Sequence, residues 1–192
     1  METLNNLEIH FFAQAHQWGS WLTEHYSQTD GVWVKFAKKS SGVVSMSYDE
    51  ALDMALCYGW IDGQVKSYNE QFYLQKFTPR RPRSMWSKRN VEKVAALTAS
   101  GKMRQPGITA VEAAKKDGRW DAAYDSPSNI QMPTDFQNTL EQNPKAAAFY
   151  STLNKADKYA FLWRIHTAKS AETREDRIAK FIDMLTKGQK FH

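Results

Sequence analysis

At 192 residues and 22.1 kDa, the chain is long enough to bury a core without a disulfide or metal staple. Hydrophobic residues make up 42% and charged residues 24%, which excludes a disordered, collagenous or disulfide-built chain. The single cysteine, Cys57, leaves no internal disulfide. The net charge of +5 is concentrated in one segment. Lys76, Arg80, Arg81, Arg83, Lys88, Arg89 and Lys93 face only the acid Glu92, a local charge of +6, while the remainder holds 19 basic and 20 acidic residues. A patch of this kind points to a discrete anionic partner.

In chain order, Leu7–Phe12 reads as a strand, and residues 14–27 as a helix with Trp18, Trp21, Leu22 and His25 at helical spacing. Asp30-Gly31 makes a turn into a strand over Val32–Ala37, which Ser40-Ser41-Gly42 breaks. Ser47 and Glu50 form a capping box at the head of a helix carrying Leu52, Ala55 and Leu56, with Gly59 as its left-handed stop. Gln64–Lys66 and Gln71–Phe77 pair as a hairpin across Ser67–Glu70. The chain then turns helical. Ser87 caps a helix with Val91, Val94, Ala95 and Thr98 inward, and a second helix covers Ile108–Asp117. Asp121–Met132 is an irregular linker. Thr134 caps a helix with Phe136 and Leu140, and Asn143-Pro144 opens one with Ala148, Phe149 and Leu153. A further helix runs over Lys155–Thr167, and Ser170 caps the last one, with Ile178, Phe181, Ile182 and Leu185 inward and Gly188 as its stop. The expected fold class is therefore α+β, a small mixed sheet of about four strands with packed helices, followed by an all-helical part. The expected domains are residues 1–125, carrying the basic block, and 126–192.

Chemistry concentrates in Tyr73–Asn90. Pro79 and Pro82 hold the intervening chain extended and present Arg80, Arg81 and Arg83 with little conformational freedom. Lys88 and Arg89 fall in the first turn of a helix, where cations oppose the dipole and free amides attract anions. Guanidinium forks suit carboxylate and phosphate, and Tyr73 and Trp86 offer a stacking face. The alternative is a structural network in which these cations pair with acids of their own fold. A second cluster, Gly59–Gln64, has two readings: Asp62-Gly63 is a turn, or Trp60 and Asp62 line a cleft beside the arginines, with Asp62 anchoring Arg80 or Arg81. The candidate ligand-binding residues are Trp60, Asp62, Tyr73, Arg80, Arg81, Arg83, Trp86, Lys88 and Arg89, with Asp62 the one weak catalytic candidate.

The histidines His10, His16, His25, His166 and His192 form no His-x-x-x-His pair, and no metal or cofactor site is expected. Phosphate-loop, dinucleotide and nucleophile-elbow motifs are absent. Cys57 lies in an apolar helix and reads as packed. Asp49, Glu50 and Asp53 read as a solvated helix start. There is no basic segment followed by an apolar core at the N-terminus and no apolar run long enough for a bilayer, so a cytoplasmic protein is expected.

Leu56–Gly63 followed by Phe77–Asn90 resembles the YdeI/OmpD-associated, or bacteriocin-protection, family. The resemblance extends through Gly118–Asp125, Pro133–Phe136, Asn143-Pro144 and Ala168–Arg174 to Ile178. Ser170-Ala171 departs mildly from the basic residue and proline usual in relatives. The resemblance implies a bacterial protein linked to tolerance of cationic antimicrobial peptides, with an envelope protein as a partner, and brings no settled activity or catalytic residue. Three functions are compatible with the residues. The favoured one is a non-enzymatic protection protein that binds an anionic small molecule or polyanion through the Arg80–Arg89 block. A +6 patch repels a cationic peptide, so direct sequestration fits poorly. A nucleic-acid-binding module is compatible but not favoured, because only one patch exists. The third is an enzyme on a phosphorylated or carboxylated small molecule with Asp62 as base.

Overall fold

The computed structural model describes Glu2–Phe191; His192 lies outside the described residues. The chain divides into two compact units. The first comprises residues through Trp86 together with Asn90–Ala122, and the second Ser87–Arg89 together with the chain from Ala123 onward.

The first unit is built on a five-stranded sheet of order β1-β2-β3-β5-β4. The strands are β1 (Thr3–Leu4), β2 (Leu7–Phe11), β3 (Val32–Ala37), β4 (Trp60–Ser67) and β5 (Phe72–Pro79). β2 and β3 are parallel, and every other pairing is antiparallel. The sheet has one strand more than expected because Asn5 and Asn6 take positive φ and fold β1 back on β2. Helices α1 (Ala15–His25) and α2 (Tyr48–Cys57) accompany it. The capping box at α2 forms as expected: Ser47 Oγ accepts from the Glu50 amide while the Glu50 carboxylate accepts from the Ser47 amide at 2.8 Å. Trp18, Trp33, Trp60, Phe36, Phe77, Leu52 and Leu56 fill the core.

Asp62-Gly63 is not a turn. β4 begins at Trp60, and its register against β5 shifts between Asp62 and Val65. The bulge explains a buried polar side chain, since Gln75 Nε2 donates to the Gly63 carbonyl at 2.9 Å. Pairing along β5 thus overrides a local turn preference.

Helix α3 (Lys88–Ala99) buries Asn90, Val94 and Leu97, while Ala95 and Thr98 are exposed. Its inward stripe is rotated from the expected one. Helix α4 spans Gln105–Lys116 and starts three residues before the expected Ile108, with Pro106 in its first turn. Gly107 allows the start of α4 to press on the end of α2, where the Cys57 carbonyl accepts from the Arg104 amide at 3.1 Å.

The second unit contains α5 (Thr134–Glu141), α6 (Pro144–Thr152), α7 (Lys155–His166) and α8 (Ala171–Thr186). Thr134 is the first helical residue of α5, and Pro133 occupies the cap position. In α6 the inward residues are Ala146 and Tyr150, whereas Ala148 is exposed. Ser170 caps α8 as expected, accepting from the Thr173 amide, and Gly188 follows the helix at positive φ. Phe136, Tyr150, Phe161, Phe181 and Leu185 form the core of this unit. Arg174 of α8 clasps Asp135 of α5 and also donates to the Ile165 carbonyl at the end of α7.

Candidate ligand groove beside the arginine block

In the first unit a groove of about 420 Å³ runs alongside the arginine block. Its walls come from the end of α1 (Tyr26, Ser27), the α2–β4 junction (Tyr58, Gly59, Trp60), the Pro79–Pro82 segment, α4 (Pro106, Thr109, Ala110, Ala113) and Arg119. Gly59 is required here twice over. Its φ is +73°, and a β-carbon would stand 2.9 Å from the Pro106 carbonyl oxygen. Its own carbonyl accepts the Arg80 amide at 2.9 Å, which fixes where the extended Pro79–Pro82 segment leaves the sheet.

The candidate residues separate. Arg80, Arg81 and Trp60 line the groove. Arg80 is half-buried; its guanidinium carbon lies 3.5 Å from the centroid of Trp86, and Nη1 donates to the Met85 carbonyl at 3.1 Å. Arg81 and Arg83 are exposed, and only Arg81 reaches the groove wall. Lys88 and Arg89 belong to the second unit, where Lys88 Nζ pairs with Asp125 at 2.7 Å. Lys93 pairs with Asp53 at 2.7 Å and Asp49 at 3.3 Å. Of the three acids read as a solvated helix start, Asp49 and Asp53 therefore share a distant lysine partner, 40 residues on from Asp53, while Glu50 serves the cap at Ser47. Part of the basic segment is neutralised by carboxylates of its own chain, which is what the structural-network alternative anticipated for those lysines.

Two expectations are corrected. Tyr73 and Trp86 do not form a stacking platform. Trp86 is 1% exposed, covered by Arg80 and packed against Trp120 at 5.0 Å. Tyr73 stacks on Phe36 at 5.4 Å on the sheet, where burial pushes its phenol pKa upward. Asp62 does not anchor an arginine of the block; its carboxylate accepts from the Tyr48 hydroxyl at 2.8 Å, because β4 carries it past the start of α2. Trp60 is a core residue whose indole donates to the Tyr26 carbonyl at 3.0 Å, so it supplies the floor of the groove and not a mobile face.

Sequence reasoning missed Arg119, Tyr26, Tyr58 and Thr109. Arg119 Nη1 donates to the Ser84 carbonyl at 2.8 Å while Nε holds Asp117. This ties the arginine loop to the chain after α4. The signal was Gly118-Arg119-Trp120, whose place beside the block depends on contacts remote in sequence. Cys57 is packed, and burial with Asp53 nearby pushes its thiol up to about 11, outside nucleophile range.

Residues 10–110 match a family model described as a domain of unknown function (DUF8412), and residues 129–188 match the bacteriocin-protection, YdeI or OmpD-associated model. The chain belongs to the DUF8412 family, and its C-terminal region is similar to the YdeI/OmpD-associated family. No curated protein and no solved structure gives a significant match. The YdeI/OmpD-associated match includes both Asp135 and Arg174, the ion pair that joins α5 to α8. The DUF8412 match includes Gly59, the Pro79–Pro82 segment and the first half of α4, hence most of the groove. Among the described residues no helix is long and apolar enough to cross a membrane.

Proposed function

We propose that this protein serves bacteriocin protection in the cytoplasm as a binding protein without catalysis, and that the groove beside Arg80 and Arg81 takes an anionic ligand. The family match at residues 129–188 supports the protection role at family level. The observation that carries the ligand reading is the groove itself. A concave site of about 420 Å³ has apolar walls of proline, alanine and tryptophan and an exposed guanidinium, Arg81, at its edge. Such walls with a few convergent polar groups are what small-molecule sites use to fix orientation. The burial of Trp86, and the stacking of the half-buried Tyr73 on Phe36, argue against a nucleic-acid surface, which needs exposed rings for bases. Asp62, held by Tyr48 on the sheet, makes no case for a general base.

Thermal unfolding at low salt tests the reading, with a panel of inorganic phosphate, nucleotides, heparin, short carboxylates and cell-wall fragments. One anion class is expected to raise the melting temperature by roughly 5 °C or more at a hundredfold excess over its Kd. Arg81→Ala is expected to remove the rise while leaving the unliganded melting temperature in place. If no anion stabilises the wild-type protein, the reading is wrong.

A further inference from the structure

The sheet of the first unit separates its charges by face. Its lysines are Lys35 on β3, Lys66 on β4 and Lys76 on β5, and its carboxylates are Glu8 on β2 and Asp62 on β4. Register decides which face each takes, because side chains alternate along a strand. Asp62 is in register with Phe77, whose ring meets Trp18 of α1 at 5.6 Å, and Tyr48 of α2 reaches Asp62, so this face is the one the helices cover. Val32 pairs with Phe77, and Val34 with His10, which places Glu8 on the same face. The three lysines fall on the other face, Lys35 and Lys66 opposite Leu74 and Lys76 opposite Trp33. Aromatic rings share it. Phe11 is in register with Lys35 and meets Phe72 at 5.7 Å. Lys35 Nζ lies 4.4 Å from the Tyr68 centroid and 5.8 Å from that of Phe72, and Lys66 Nζ lies 5.6 Å from that of Trp33. None of these contacts involves a helix. Glu2 holds Lys35 at 3.2 Å, whereas Lys66 and Lys76 meet no carboxylate among the described residues.

We propose that this face binds single-stranded nucleic acid, with Lys66 and Lys76 on phosphates and Phe11 and Phe72 beneath bases. Solubility alone is served by mixed signs, whereas cations of one sign interleaved with rings match a chain of phosphates and bases. Phe11 is 43% exposed, and Phe72 and Tyr68 are partly exposed, while Trp33 is buried beneath Lys66. The buried ring that weakens a nucleic-acid reading at the arginine block is therefore not the situation at Phe11. A duplex hides the base faces that such rings need. An acidic polypeptide would satisfy the lysines and leave the rings without a use. The face shares no residue with the groove and extends beyond the protection reading. Two or three neutralised phosphates give sequence-tolerant binding with a shallow salt dependence, a log–log slope of about −1.4 to −2.1.

Fluorescence anisotropy on the full chain tests this, with labelled thymine and uracil homo-oligomers of about 12 nucleotides, within the length such surfaces take. Both oligomers are expected to bind at low salt, and a duplex of the same length more weakly. Lys66→Gln combined with Lys76→Gln is expected to flatten the salt slope. Phe11→Leu keeps an apolar side chain and removes the ring; it is expected to weaken binding about fivefold or more, the lower end of what one stacked base contributes. Melting temperatures confirm that the variants fold. Arg81→Ala is expected to leave oligomer binding unchanged. Absence of binding up to about 100 μM protein, the weak end of non-specific affinity, overturns the proposal. Binding that survives Phe11→Leu undiminished, or that polyglutamate displaces as readily as unlabelled oligomer, also overturns it, the second outcome favouring an acidic polypeptide. Binding lost in Arg81→Ala places the oligomer at the groove instead and overturns this face while sparing the anion reading there.

Discussion

The backbone of Gly107 passes so close to Cys57 that a β-carbon there would stand 2.3 Å from the Cys57 carbonyl oxygen. The same virtual carbon lies 2.8 Å from the Leu56 carbonyl oxygen. Helix α4 therefore starts directly against the carbonyl end of α2, and this approach sets one wall of the groove.

Gly107→Ala separates packing from propensity. In an exposed helix the change gains about 1 kcal/mol. Against two backbone oxygens, which cannot swing aside as a side chain does, it is expected to cost about 1–3 kcal/mol, as overpacking does. Urea unfolding decides the sign. A stabilised variant would mean that α4 does not press on α2.

Cys57 is the only cysteine, which makes its thiol a clean reporter of the same contact. Burial, reinforced by the Asp53 carboxylate, lifts its pKa from 9.0 to about 11. At pH 8 the thiolate fraction is then about a hundredfold below that of the unfolded chain. Titration with an aromatic disulfide reagent is expected to be slower in native buffer than in denaturant by at least that factor. Gly107→Ala is expected to accelerate the native reaction by loosening the α2–α4 contact. Equal rates in native and denatured protein would contradict the buried placement.

The Asp135–Arg174 pair makes the second unit acid-sensitive. The Arg174 guanidinium holds the Asp135 carboxyl below its ordinary value of 3.8. The folded state thus prefers the charged carboxylate more than the unfolded chain does. Its stabilisation is complete above the ordinary carboxylate value and is lost as pH falls through the lowered folded one. Both side chains are well exposed, 47% for Asp135 and 29% for Arg174, so solvent screens the pair and its worth is at most about 1 kcal/mol. Asp135→Asn is expected to lower stability at pH 7 by that amount and to flatten the fall between pH 5 and pH 2. An unchanged acid limb in the variant would assign the acid sensitivity to other carboxylates.

Helix and strand identities were largely readable before any tertiary information, since each rests on neighbours in sequence. The run Val32–Ala37 forms the strand its composition indicates. Ser47 with Glu50, Pro144 at the head of α6, and Ser170 with Gly188 around α8 mark helix ends through bonds spanning a few residues. Inward faces were less readable. Ala95, Thr98 and Ala148 are small enough to satisfy a helical stripe on either side, so the position of neighbouring elements chose Asn90, Val94 and Leu97 on one helix and Ala146 and Tyr150 on another.

What the amino-acid sequence determined by itself is the α+β class, the ends of most elements and the concentration of positive charge between Lys76 and Lys93. What only the tertiary structure decided is the use of each of those charges. Lys93 meets Asp53 across 40 residues and Lys88 meets Asp125 across 37, while Arg80 lies over a buried Trp86 and Arg81 faces solvent beside the groove. A cation carries no local mark of its partner. Capping and hydrophobic periodicity act over one or two turns of chain, but the partner of a side chain at long range is set by where the sheet and helices bring the backbone together.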